Sequence, residues 1–206
     1  MKVALLGGTG SFGRALAFRL REAGVEPVIG SRDAERARQA AEELGVRGAT
    51  NEEALVAVEL AVLAVKAEAA LETAARLAGA IGGTPLLSVA SELRFTDRGV
   101  LPTPEARSLA ERVADVVPGP VVAGLHSLAA TTLGGEEPPE EDALVCGDDA
   151  EAKALALELA SRLVTGRALD AGPLASARAL EGMTAVIVNL NKRYKGHAGV
   201  RVTGLP

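Results

Sequence analysis

Cysteine is nearly absent: Cys146 stands alone in 206 residues. No intrachain disulfide can form and no cluster of thiolates can hold a metal. A lone thiol in an apolar run reads as a small buried core residue of a reducing compartment, so the chain is expected to be cytoplasmic. Histidine is as scarce. His126 and His197 have no metal-ligand spacing, and no metal site is expected. Tryptophan is missing, aromatic residues make up 2%, and Gln39 is the sole glutamine. Few thermolabile amides beside plentiful Arg and Glu point to a thermophilic source. A basic excess is also lacking: 22 Lys and Arg face 27 Asp and Glu, a net charge of −5. That leaves no broad cationic face for nucleic acid. The apolar run after Met1-Lys2 is too short for a signal peptide, and the longer one at 54–81 contains Glu59, Lys66, Glu68, Glu72 and Arg76. Nucleic acid and membrane are thus not expected as partners; small molecules are.

What is present is a repeated alternation of short apolar runs with amphipathic stretches in a chain that is 48% hydrophobic. Val3 to Leu6 reads as a buried strand. A helix follows from Ser11, with Phe12, Leu16, Leu20 and Ala23 on one face and Gly24 as its stop. Pro27 to Gly30 is a second strand, and Asp33 to Leu44 a second helix stopped by Gly45. Thr50 and Glu53 have capping-box spacing. Leu60 to Val65 is a strand, followed by an alanine-rich helix to about residue 80. Further strands are predicted at 85–89, 121–125, 143–146 and 168–169. Further helices are predicted from Thr103-Pro104 to Val117, over 151–163 and over 173–194. The acidic LGGEEPPEED at 133–142 reads as a solvated loop. Asp148 and Asp149 read as caps. This alternation predicts an α/β fold, a Rossmann-type doubly wound parallel sheet with a small C-terminal α/β extension.

Residues 7–13 read GGTGSFG, between a buried strand and an amphipathic helix. In a dinucleotide-binding turn the first glycine (Gly8) permits the bend and the second (Gly10) lets backbone approach a pyrophosphate. The third (Gly13) lets helix and strand pack closely. The helix N-terminus supplies N–H groups and partial positive charge. The second strand then ends in Gly30-Ser31-Arg32, with Arg36 one turn on, where an NAD site would place a carboxylate. Guanidinium groups and a hydroxyl suit a 2′-phosphate, unless the arginines merely pair with Asp33 or Glu35. The cofactor implied is NADP(H), bound by residues 1–130.

These residues resemble the F420-dependent NADP oxidoreductase family. The matching pieces are VALLGGTGSFG, the GSR at 30–32, GLHSL around His126, VCGDD at 145–149 and LDAGPL at 169–174. The resemblance implies a Rossmann domain for NADP over residues 1–130, a C-terminal part over residues 131–206 that completes a cleft for the deazaflavin coenzyme F420 and supplies an oligomer interface, and a homo-oligomer, expected to be a homodimer. By it Thr9, Gly10, Ser11 and Phe12 wrap the pyrophosphate, and Ser31, Arg32 and Arg36 hold the 2′-phosphate. The turn at Val65 and Ala67 flanks the nicotinamide. Lys66-Ala67 stands where the family has a Pro and an aromatic, and residues 91–103 also depart from its pattern. Hydride transfer needs two stacked rings and little from side chains, so no catalytic residue is assigned. His126 and Ser127 are the candidates for lining the acceptor cleft. His197, with Lys192, Arg193 and Lys195, reads as an exposed helix end or a receiver for the anionic tail of the deazaflavin. Two alternatives stand beside this. One is an imine or keto-acid reductase using Asn189 and Lys192. The other is a non-catalytic NADP(H) sensor, disfavoured because no exposed apolar stripe is evident. The apolar MTAVIVNL at 183–190 is expected to be a buried or a dimer-forming helix.

Overall fold

The structure is a computed structural model that describes residues 1–205. Val3, Ala4, Leu5 and Leu6 are all fully buried, as in a strand covered on both faces. This strand, β1 (Lys2–Leu6), leads into α1 (Ser11–Glu22), β2 (Glu26–Ser31), α2 (Ala34–Leu44), β3 (Arg47–Thr50) and α3 (Asn51–Ala54). Then come β4 (Leu60–Leu63), α4 (Ala67–Ile81) and β5 (Leu86–Ser88). A hairpin of β6 (Leu93–Thr96) and β7 (Gly99–Pro102) interrupts the alternation. It resumes with α5 (Leu109–Ala114), β8 (Val121–Gly124) and the single turn α6 (Ala130–Leu133). β9 (Ala143–Gly147), α7 (Ala150–Ser161), β10 (Ala168–Asp170) and the long α8 (Ala177–Tyr194) follow. Gly45 ends α2 at φ +63°, a conformation that costs glycine nothing.

Eight strands form one sheet in the order β10-β9-β8-β5-β4-β1-β2-β3. From β1 the chain steps outward to β2 and β3, then returns to β4 on the other side of β1. The order reverses there, and a crevice opens at the C-terminal ends of β1 and β4. Val3, Leu5, Ile29, Val62 and Val122 pack on one face against α1, α2 and α7. Ala4, Leu6, Val28, Leu63 and Cys146 pack on the other against α4, α5 and α8. Cys146 is the core residue expected of it, and burial pushes its thiol up to about 12.

The doubly wound α/β fold is the one predicted, with four differences. The sheet is mostly rather than wholly parallel, because β8 and β9 run antiparallel. The LGGEEPPEED segment cannot form a crossover helix, so the chain stays at the C-terminal end of the sheet and β9 must run back down. The α7 crossover then makes β10 parallel to β9. That segment is also less solvated than expected. Its carbonyls at Leu133, Gly135 and Glu137 accept from the buried Arg19 guanidinium at 3.1, 2.5 and 3.0 Å. Asp142, 1% exposed, accepts from the backbone of Val202 and Arg167, each at 2.8 Å, and these bonds hold its carboxyl at about 2. The helix expected at Thr103-Pro104 starts later, at Leu109, because Ser108 and Glu111 form a capping box there. Glu181 of α8 also accepts from Leu109 and Ala110 N–H at 2.9 and 3.0 Å. Finally, β3 and the β6–β7 hairpin were not predicted. RGAT at the sheet edge and the polar LRFT carry too little apolar alternation to signal strands. No helix among the described residues is long and apolar enough to cross a membrane.

Candidate cofactor and acceptor site

The turn between β1 and α1 is fixed by the fold itself. Gly7 N–H donates to Asn51 Oδ1 at 3.1 Å, and Gly8 N–H to the carbonyls of Leu5 and Gly30 at 3.0 and 2.9 Å. A Cβ on Gly8 would lie 2.8 Å from the Leu5 carbonyl oxygen, and one on Gly13 would lie 2.6 Å from Gly8 Cα. Helix and strand close up only because both lack side chains. Gly10 differs, since a Cβ there meets nothing within 4 Å. The fold does not require glycine at this position, and the open space leaves the backbone accessible to close approach by a ligand. Gly10 is also the N-cap of α1, with no side-chain oxygen to offer, and the first turn holds no acidic residue. The end of α1 therefore keeps its N–H groups and positive dipole for an anion.

A cavity of about 320 Å³ lies at this turn and brings together Thr9, Gly10, Ser31, Arg32, Arg36 and Val65. Gly8 lies beneath the lining. Ser11 is exposed and Phe12 packs on the core, so their side chains lie outside the cavity. Neither Arg32 nor Arg36 pairs with a carboxylate among the described residues. Glu35 is engaged by Arg38 at 2.5 Å, and Asp33 Oδ1 accepts from the N–H groups of Glu35 and Arg36 at 2.9 and 3.1 Å, capping α2. The pairing that would have made the two arginines bland is thus absent among the described residues, and two exposed guanidiniums stand beside the Ser31 hydroxyl without an ion-pair partner. Asp33, Lys66 and Glu68 also line the cavity, as do Asn51, 1% exposed, and Thr73. No local pattern announces either residue, because their place depends on how α3 and α4 dock.

A second cavity of about 410 Å³ adjoins the first through Val65, Lys66 and Glu68, and is bounded by Ala67, Ala90 and Phe95. His126 and Ser127 do not line it. They sit in the turn from Leu125 to Leu128, closed by a 3.0 Å bond between Leu128 N–H and the Leu125 carbonyl, with Leu125 at the left-handed φ of +64°. Both are buried. The His126 carbonyl accepts from Thr184 Oγ1 at 3.0 Å, and that hydroxyl shares a 2.8 Å bond with Ser91 Oγ, which does line the cavity. His126 therefore stands one layer behind the wall. Burial, outweighing an opposing contribution from the backbone of Ala90, drives its pKa down to about 4, so the ring is neutral at pH 7. Neither ring nitrogen finds a hydrogen-bond partner among the described residues. Ser127 Oγ donates to the Asp142 carbonyl at 3.1 Å. His197 Nδ1 lies 3.1 Å from Thr131 Oγ1 on an exposed segment. Asp149 caps α7 through Ala152 N–H at 2.8 Å, the capping role expected, whereas Asp148, expected to cap the same helix, instead accepts from the distant Leu174 N–H at 2.9 Å.

Residues 2–92 match the family described as NADP oxidoreductase coenzyme F420-dependent. The F420-dependent NADP reductase of Methanothermobacter marburgensis is 37% identical over an alignment of 226 positions that covers all of both chains. The chain belongs to the F420-dependent NADP oxidoreductase family. A solved chain from Arthrobacter sp. FB24, described as a candidate F420-dependent NADP-reductase, shares the family's fold. It superposes with a TM-score of 0.86 at 26% identity, covering 99% of this chain and 100% of its own. An imine reductase from Streptomyces aurantiacus superposes less fully, with a TM-score of 0.64 at 26% identity over 95% of this chain and 62% of its own.

Proposed function

We propose that this oxidoreductase transfers hydride between NADP(H), held in the first cavity, and coenzyme F420, whose flat ring enters the second. The observation that carries the reading is the pair of unpartnered guanidiniums, Arg32 and Arg36, beside an uncapped α1. When bound, the nicotinamide and the deazaflavin supply the hydride chemistry, so the chain has to align them and exclude water. The N–H groups from Gly10 to Phe12 hold the pyrophosphate; Ser31, Arg32 and Arg36 hold the 2′-phosphate. Backbone and side chains of Val65 and Ala67 border the nicotinamide where the two cavities meet. His126 and Ser127 back the acceptor wall, and a neutral imidazole there can donate or accept one hydrogen bond without adding charge. Residues 1–130 supply the nucleotide half of the cleft and residues 131–206 the acceptor half.

Homodimer formation is part of the same proposal. Val186, Leu190 and Tyr194 form an exposed apolar stripe along α8, 57%, 40% and 72% accessible. This corrects the expectation that no such stripe exists. A second copy of the chain covers it in this reading, which also fits a cytoplasmic enzyme of thermophilic source. The imine-reductase alternative draws on the Streptomyces structure, but the Asn189 amide it needs is bound at both ends to Val100. The test adds NADPH to the purified protein with F420, with FMN and with no acceptor, and follows the nicotinamide and deazaflavin absorption bands. Oxidation of NADPH that requires F420 is expected. Tight NADPH binding without transfer to either acceptor would refute the enzyme and favour the sensor.

A further inference from the structure

We infer that the β6–β7 hairpin sets acceptor specificity, with the ring of Phe95 stacking on a planar conjugated acceptor. This rests on the functional reading above and deepens it. Phe95 belongs to a chain with 2% aromatic residues, yet its ring is 71% exposed, at the edge of the second cavity. The core gains nothing from it; only Val100 of the hairpin is buried. The hairpin is nevertheless held firmly. Asn189 Nδ2 donates to the Val100 carbonyl at 2.7 Å and its Oδ1 accepts from Val100 N–H at 2.8 Å, so one side chain takes the place of a neighbouring strand. Gly99, at φ +120°, makes room for it, since a Cβ there would lie 2.9 Å from Asn189 Oδ1. The bond between Ser91 and Thr184 fixes the entry to the hairpin. Lys192 Nζ lies 5.3 Å from the centre of the Phe95 ring. That cation sits over the ring, and the cavity beside it carries Lys66, Glu68 and Glu92, the last paired with Arg112 at 2.5 Å, so its lining is of mixed charge and the aromatic ring is its distinctive feature.

An exposed aromatic held by a clamp and continuous with the nucleotide cavity fits a flat ring better than it fits a structural role. The full chain tests this by titrating F420, FMN and NADPH separately, read by fluorescence, into wild type, Phe95→Ala, Phe95→Tyr and Asn189→Ala. Loss of one aromatic stacking partner predicts F420 binding weaker by about three- to tenfold in Phe95→Ala, with Phe95→Tyr and all NADPH affinities within about twofold of wild type. Asn189→Ala, which frees the hairpin, should weaken F420 in the same direction. The exposed ring can be removed without loss of folding, which a melting curve verifies. Wild-type F420 affinity in Phe95→Ala overturns the inference, as does a change of oligomeric state in that variant on sedimentation, which would place the ring in a subunit contact. Wild type that binds NADPH but no F420 defeats the acceptor assignment itself, a result distinct from either.

Discussion

Replacing Arg32 and Arg36 together with alanine tests the nucleotide assignment where its physics is simplest. Neither residue pairs with a carboxylate among the described residues, so their loss breaks no ion pair found there and the melting temperature should hold. A hydrogen bond from a charged donor to phosphate contributes about 1.5–3 kcal/mol. Both side chains are exposed at the cavity lip, and screening by water and salt reduces this to about 1 kcal/mol each. The sum, about 2 kcal/mol, weakens NADPH roughly 30-fold. NADH lacks the 2′-phosphate and should bind both proteins alike. Calorimetric titration of each nucleotide at low and high ionic strength measures this, and the wild-type preference should shrink as salt rises because the contact is at the surface. Equal losses for NADH and NADPH would refute the reasoning, since the arginines would then be holding something the two share. Wild type that binds NADH as tightly as NADPH would refute it more directly.

The glycines of the turn should separate fold from binding. Gly10→Ala introduces a Cβ into open space, so stability should change by less than about 1 kcal/mol while NADPH affinity drops; Gly13→Ala meets Gly8 Cα at 2.6 Å and should lower the melting temperature markedly. Two melting curves and one titration distinguish the cases, and equal destabilisation by both would be wrong for this geometry. His126 makes a pH prediction. Its folded pKa lies near 4, below the ordinary 6.5, so the unfolded chain binds the extra proton first. Its contribution to stability is complete above 6.5 and is lost as pH falls from 6.5 towards 4. Chemical denaturation across that range should show the slope, and His126→Phe should flatten it.

The fold was legible where the local signal was strong. Val3 to Leu6 read as a buried strand, and the glycine spacing that follows pointed to a phosphate turn because it stood between that strand and an amphipathic helix. Capping at Thr50 and at Asp149 depends on atoms a few residues apart, so it too could be read along the chain. Sequence reading failed where the answer depended on distant neighbours. RGAT is a strand because β2 lies beside it. LRFT is one because Asn189, almost ninety residues on, clamps its partner strand. The direction of β9 was illegible for a similar reason: alternation predicts a crossover, and only the failure of LGGEEPPEED to make one reverses the strand.

By itself, then, the order of residues determined a doubly wound sheet with a phosphate turn and a cationic end to the second strand, since periodicity and glycine placement act within a single turn. Tertiary structure alone decided that Arg32 and Arg36 have no ion-pair partner among the described residues, that His126 lies behind the acceptor wall rather than on it, and that Phe95 stands exposed at its edge beside Lys192. Those outcomes depend on which carboxylates and backbone groups lie near them in space, and a linear pattern holds no information about that until the helices have packed.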